Sequence, residues 1–283
     1  MRPMMKSMTT FLDLFSQSSR PTVKLDSYCG AYDELFAPYR GRDITFVEVG
    51  ISGGGSLEVW RRFLGSRARV IGIDLNPALK DVLERDGYEI FIGDQADPAF
   101  WKTFYAKVGN VDVLLDDGGH TNAQTWGTLV SSIDHINDGG LLVVEDTHAS
   151  YMREFGNPSR RSLVSRIFGC VDEINYRSSV IPSRDRYAWR RLDLVEKEVV
   201  ARNVYSIRFY QSLIALSIDS TRCGPSELVR YGSAANLPGG IHPEDYRLRG
   251  IGEPLASRIR RRAWTLAHRV RSAILSSSSS REQ

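Results

Sequence analysis

The sequence predicts an α/β fold of the doubly wound kind, a mostly parallel sheet with helices on both faces and a C-terminal antiparallel hairpin. Three observations carry that prediction. Between residues 43 and 145, short β-rich apolar runs alternate with helix-length stretches over short links, the pattern of a parallel sheet with right-handed crossovers. The runs VDVLL (111–115) and LLVVE (141–145) are almost wholly apolar, as strands buried on both faces must be. Residues 203–219, NVYSIRFYQSLIALSID, form two β-rich runs divided around Tyr210 and Gln211, which reads as a hairpin closing the sheet.

In chain order, residues 1–42 read as an N-terminal helical cap. Phe11, Leu12, Leu14 and Phe15 are spaced for a helix over 9–16. Tyr28, Tyr32, Leu35, Phe36 and Tyr39 make one stripe of a second helix over 27–39, which Pro38 bends or ends. Such a stripe is core in most proteins; the alternative is an aromatic wall over a pocket. The main domain spans 43–220, with strands at 44–49, 69–74, 88–92, 111–115 and 141–145. Helices fall between them at 56–64, 78–86, 98–107 and 121–135. Residues 147–203 are too long for an ordinary crossover and read as a lid or acceptor-binding insertion, with a helix in 160–176 and a charged, exposed connection over 177–193. A C-terminal extension, 221–283, carries a basic amphipathic helix and ends in SSSSSREQ, a composition that favours disorder.

With 283 residues and 42% apolar content, the chain can bury one large core with additions. No run approaches the roughly 20 apolar residues that span a bilayer, and the Met-rich start lacks the apolar stretch of a secretory signal. Cytoplasm is therefore the expectation. Cys29, Cys170 and Cys223 have no metal or disulfide spacing and read as free thiols. Net charge is +3, but residues 254–275 hold six Arg and no Lys or acid, so the remainder is 3 − 6 = −3. A mildly acidic body argues against a broad nucleic-acid groove. The basic helix has two readings: peripheral contact with an anionic inner membrane face, or packing on the domain or a second subunit.

The chemistry gathers at the strand ends. Both buried runs end in paired carboxylates, Asp116 with Asp117 and Glu145 with Asp146, and His120 follows closely. In an open α/β sheet that edge binds ligands. Four acids on one rim repel unless a cation sits among them or some are protonated, so a hard divalent ion is the economical explanation; helix capping by Asp117 and Asp146 is the competing one. The first strand leads into EVGISGGGS, a glycine-rich turn opening a helix. As a dinucleotide fingerprint it is poor, because Ser52 stands where the second glycine belongs. Glu48 at the strand tip would oppose a pyrophosphate but attract a cationic ligand such as S-adenosylmethionine. Asp74 ends the second strand where ribose hydroxyls would lie, and Asp94 in GDQAD follows the third, near an adenine. For Gly53 to Gly55 an ordinary turn, and for Asp74 and Asp94 simple capping, are the plainer alternatives.

These residues resemble the class I S-adenosylmethionine-dependent methyltransferases with their Rossmann-like sheet, and within them the metal-dependent O-methyltransferases of macrolide deoxysugars and their cephalosporin-hydroxylase-like relatives. EVGISGGGSLEVW, IGIDLN, GDQAD, LLDDGGH, VVEDTHASYMREFGN and SIRFYQS carry the likeness, over roughly residues 24–217. The resemblance implies that Asp117, Glu145 and Asp146 hold Mg²⁺, that His120 is the general base, and that Glu48, Gly50, Asp74 and Asp94 line the cofactor pocket. Ser52, Gly53 and Asp116 complete the expected cofactor contacts. Where relatives often place a His ahead of the first-helix tyrosines, this chain has Asp26 and Ser27.

The expected activity is Mg²⁺-dependent transfer of methyl from S-adenosylmethionine to a hydroxyl of a sugar or glycoside, in a natural product, polysaccharide or glycolipid. A non-catalytic cofactor-binding scaffold in glycan assembly, or an NAD-dependent oxidoreductase, are the alternatives; homo-oligomerisation is left open. His148, two residues past Asp146, reads equally as packing, capping or a second base.

Overall fold

The computed structural model describes residues 9–156, 159–178, 181 and 191–226. Two compact units divide the chain. Met1–Arg177 with Arg190–Gly224 carries the whole described sheet; Ser178–Trp189 with Pro225–Gln283 lies almost entirely outside the described residues, as does the expected basic C-terminal helix.

Seven strands make one sheet: β1 Thr45–Val49, β2 Arg69–Asp74, β3 Glu89–Ile92, β4 Val111–Asp116, β5 Ile136–Val144, β6 Val204–Tyr210 and β7 Leu213–Ile218. Their order is β3-β2-β1-β4-β5-β7-β6. Strands β1 to β5 run parallel, and β7 inserts antiparallel between β5 and β6. The hairpin and the parallel body agree with the sequence expectation. Strand β5 starts five residues earlier than expected, because Asn137 to Gly140 bulge out of register before Leu141 pairs with Val113.

Eight described helices accompany the sheet: α1 Phe11–Phe15, α2 Asp26–Phe36, α3 Gly55–Leu64, α4 Ala78–Arg85, α5 Pro98–Val108, α6 Asn122–Ser132, α7 Leu163–Tyr176 and α8 Leu194–Asn203. Local chemistry sets their ends. Asp97 caps α5 through Ala99 N at 2.8 Å with Pro98 in the first turn, and Pro38 turns the end of α2 into a 3₁₀ turn over Ala37–Tyr39. Helix α8, which the sequence reading passed over, opens with a capping box in which Asp193 and Glu196 bind each other's backbone N–H at 2.9 and 2.8 Å.

Alternation along the strands divides the core in two. Phe46, Val113, Leu115, Leu141 and Val143 face α1 to α4, whereas Val47, Val49, Leu114, Leu142 and Val144 face α5 to α8. On the first face Trp60 of α3 is fully buried among Phe11, Tyr32, Phe36 and Phe46, with ring centroids 4.7 to 5.1 Å away. The N-terminal helices thus share the sheet's core. The cluster also fixes the rotation of α2, and so aims Tyr28 and Tyr32 at the ends of the strands. No described helix is long and apolar enough to cross a membrane.

Candidate active site

The sheet's topology reverses between β1 and β4, the place where open α/β sheets leave a crevice beyond their strand ends. Pairing of Val49 with Asp116, and of Asp116 with Val144, brings the residues that follow all three strands together. Gly50 makes the close approach possible. Its φ is +83°, and a Cβ there would lie 2.1 Å from the Asp117 carbonyl oxygen.

A cleft of about 430 Å³ opens at this point, lined in part by Gly50, Ser52, Asp74, Leu75, Gln95 and His120. Asp74 organises it: Oδ2 accepts from Ile51 N and Ser52 N at 3.1 and 3.3 Å, and Oδ1 from Asn76 N at 2.9 Å. The other expected cofactor contacts stand elsewhere. Asp94 is exposed and closes its own turn through Ala96 N, leaving Gly93 and Gln95 in the wall. Asp116 is buried beneath the floor, where Gln95 Nε2 donates to both its oxygens at 2.9 and 3.1 Å, and burial raises its pKa. Glu48 is fully buried, accepting from Ser56 Oγ at 2.7 Å; burial, opposed by Lys24, pushes its pKa up to about 7.

Gly53 is outside the cleft because the glycine-rich turn serves the chain itself. Residues 18–25 cross it without regular secondary structure. Arg20 donates to the Gly53 carbonyl at 3.2 Å, Ser19 binds Glu58 through both N and Oγ, and a Cβ on Gly55 would lie 2.7 Å from the Arg20 and Pro21 carbonyl oxygens.

Beside the cleft, Asp117, His120 and Asp146 offer ligand atoms that all lie within 4.8 Å of one another. His120 Nε2 is 3.4 Å from Asp146 Oδ2 and 3.8 Å from Asp117 Oδ1, and its Nδ1 is buried without a partner. Two half-buried carboxylates and an imidazole fit a hard divalent cation. Glu145, the other carboxylate expected to hold the metal, is buried on the inner side of the cluster. Lys24 Nζ donates to its two oxygens at 2.8 and 3.0 Å, and Tyr32 Oη donates to Oε1. Burial pushes the Glu145 pKa up against the pull of Lys24. Tyr28 Oη donates to Asp146 Oδ1 at 2.6 Å and accepts from Asp146 N at 3.0 Å. The stripe is therefore core and none of it lines the cleft, while the hydroxyls of Tyr28 and Tyr32 bind the acids.

Sequence reasoning missed Lys24 altogether. It lies in TVKLD, without periodic or motif signal, and reaches the site only through the irregular crossing of residues 18–25. His148 is exposed, with Nδ1 4.0 Å from Asp146 Oδ1. Phe155 stands edge-on to the His120 ring at 6.2 Å, at the border of a second groove of about 440 Å³ lined by Thr121, Trp126, Glu154, Arg161 and Arg166 among others.

No protein-family model matches the chain. It is 35% identical over 138 residues to 8-demethyl-8-alpha-L-rhamnosyl tetracenomycin-C 2'-O-methyltransferase of Streptomyces olivaceus, covering 46% of this chain and 36% of that protein. To demethylmacrocin O-methyltransferase of Streptomyces fradiae it is 33% identical over 135 residues, 45% of this chain and 33% of that one. The matches thus span about a third of the length of these curated relatives. Among solved structures, the MycE methyltransferase of the mycinamycin pathway in complex with Mg, SAH and mycinamycin VI superposes with a TM-score of 0.64. That match has 22% identity over 78% of this chain and 57% of MycE. In sequence the chain resembles the O-methyltransferases of macrolide and related sugars, and its fold is that of the class I S-adenosylmethionine-dependent methyltransferases.

Proposed function

We propose that the protein transfers methyl from S-adenosylmethionine to a hydroxyl of a sugar or glycoside, with a divalent cation, Mg²⁺ in the first place. The convergence of Asp117, His120 and Asp146 beside a cleft lined by Gly50, Ser52 and Asp74 is the observation that carries this reading. Relatives named for sugar O-methylation support it.

When bound, the cation would stabilise the ionising acceptor hydroxyl, and S-adenosylmethionine would supply the methyl. Asp117 and Asp146, with Glu145 behind them, would hold the cation through carboxylate oxygens. His120 receives the hydroxyl proton, with Asp146 3.4 Å away to orient the imidazole. Asp74 fixes the turn against which the cofactor lies and presents its remaining lone pairs to the ribose. Phe155, exposed Tyr151 and the groove next to His120 form the acceptor side, so the insertion over 147–203 selects the acceptor. Association of residues 254–275 with an anionic membrane, or of two copies of the chain, belongs to the same proposal, since a glycolipid acceptor would favour the first.

The test is a screen of glycosides and glycans with labelled S-adenosylmethionine, the product's methyl being located by NMR. Transfer to a sugar hydroxyl supports the reading. Calorimetry in which NAD binds and S-adenosylhomocysteine does not would replace it with the oxidoreductase.

A further inference from the structure

Gln95 stands shortly past the end of β3, 5% exposed, with one edge in the wall of the cleft. Its main chain is firmly seated: the carbonyl accepts from Trp101 Nε1 at 2.9 Å, and a Cβ on Gly127 of α6 would lie 3.1 Å from the same oxygen. The side chain reaches under the loop that joins β4 to α6. Nε2 donates to Asp116 Oδ1 and Oδ2 at 2.9 and 3.1 Å and to Thr128 Oγ1 at 3.0 Å, while Oε1 accepts from Gly119 N at 2.8 Å. Asp116 Oδ1 in turn accepts from Gly118 N at 3.1 Å. The amide can face only this way, because the Gly119 N–H must donate and the Asp116 carboxylate must accept.

The same contacts explain the glycine pair in DDGGH. Neither Gly118 nor Gly119 has a positive φ, so it is room, not backbone freedom, that demands them. A Cβ on Gly118 would overlap Gln95 Oε1, and one on Gly119 would overlap Gln124 Oε1, which itself accepts from Thr121 Oγ1 at 2.7 Å. Two glutamines therefore close on the loop, Gln95 from beneath and Gln124 from α6. At the loop's ends stand Asp117, whose N donates to Val49 O at 2.9 Å, and His120, held in left-handed backbone with φ of 57°. Such a conformation persists only where the surroundings fix it. We propose that Gln95 is a positioning residue: by holding Asp116 and Gly119 from below it fixes the spacing of Asp117 and His120, so that metal ligand and base face one point. This rests on the divalent-cation reading above. Without the amide, the Gly119 N–H and the Asp116 carboxylate would lose buried partners, and the loop between ligand and base would be free to shift.

The experiment measures Mn²⁺ and S-adenosylhomocysteine binding by calorimetry, with thermal unfolding, for the full chain and for Q95M, Q95E and Q95E/D116N. Q95M keeps the bulk and removes both hydrogen-bonding ends. It should bind Mn²⁺ about tenfold more weakly or worse, the usual cost of losing a partner outside the ligand set, and S-adenosylhomocysteine within about threefold of the full chain. Q95E sets a second carboxylate against Asp116 and should lose at least as much. In Q95E/D116N donor and acceptor change sides, Gly118 N and Gly119 N keep their acceptors, and Mn²⁺ binding should return to within about threefold of the full chain. A merely structural glutamine would lower the melting temperature and leave the Mn²⁺ affinity of the folded protein unmoved. The proposal is overturned if folded Q95M binds Mn²⁺ within about threefold of the full chain, if it loses S-adenosylhomocysteine as much as Mn²⁺, or if folded Q95E/D116N binds Mn²⁺ no better than Q95E. Should Q95M fail to fold, Q95E/D116N decides alone: Mn²⁺ binding within about threefold of the full chain upholds the proposal, and weaker binding or failure to fold overturns it. A full chain that binds no Mn²⁺ would overturn the divalent-cation reading and this proposal with it, whereas equal binding by the full chain and Q95M would overturn this proposal alone.

Discussion

His120 Nε2 lies 3.4 Å from Asp146 Oδ2, and both residues hold left-handed backbone, with φ of 57° and 50°. A side chain in that region costs roughly 1–2 kcal/mol per residue, and such conformations persist where the surroundings fix them, often at functional sites. Here they turn two side chains from different strand ends toward one point. His120→Ala should lower methyl transfer by about 10²- to 10⁴-fold while S-adenosylhomocysteine binding is kept. Steady-state rates and calorimetry check it. Wild-type turnover in the variant would remove His120 from the reaction, and loss of Mn²⁺ binding would make it a ligand instead of a base.

Asp117→Asn and Asp146→Asn should each weaken Mn²⁺ binding and cut turnover by about 10²-fold or more, because each removes one of the two carboxylates that converge on the open side. Unaltered Mn²⁺ affinity in both variants would show that the ion does not bind there.

Tyr28→Phe removes a hydroxyl that donates to Asp146 Oδ1 and accepts from Asp146 N. Leaving that N–H without its partner should cost about 1–3 kcal/mol of stability in urea unfolding, with a parallel loss of Mn²⁺ affinity as Asp146 loosens. Full stability in Tyr28→Phe would mean that water replaces the hydroxyl without loss.

Asp74→Ala should weaken S-adenosylhomocysteine binding by about ten- to a hundredfold, since it removes both a ribose acceptor and the anchor of Ile51 N and Ser52 N. An unchanged Kd would separate this carboxylate from the cofactor.

Glu48 gives a pH dependence. Its pKa is pushed up to about 7 by burial, from an ordinary 4.5, so the folded state binds a proton more readily than the unfolded chain. Its contribution to stability is therefore greatest below about pH 4.5 and is lost as pH rises to 7, after which it is flat. In metal-free protein, Glu48→Gln should gain on wild type across that window by at most about 1.4 kcal/mol per pH unit. Parallel stability curves from pH 5 to 8 would contradict the shift.

Much of this arrangement was legible in the sequence because it depends on local pattern. The runs that became β1, β2, β4 and β5 are apolar enough to be buried on both faces, and an acid within one residue of the end of each marks the ligand edge. Asp117, His120 and Asp146 were found that way. What the sequence hid depends on long-range approach. Lys24 meets Asp117 across 93 residues, through an irregular segment without periodicity. The same crossing explains why Gly53 and Gly55 serve the chain instead of lining the cleft. Asp94 lies outside the cleft lining and accepts from Ala96 N, as an Asp two residues before a backbone N–H often does in closing its own turn. Helix α8 carried a legible signal, Asp193 three residues before Glu196, within a charged stretch whose apolar spacing is weak.

The most direct test of the account is the rate of labelled methyl transfer to a sugar hydroxyl in excess EDTA and after Mg²⁺ is restored. The account predicts transfer lowered by about 10²-fold or more in EDTA and recovered with Mg²⁺. Transfer at full rate in EDTA would contradict it.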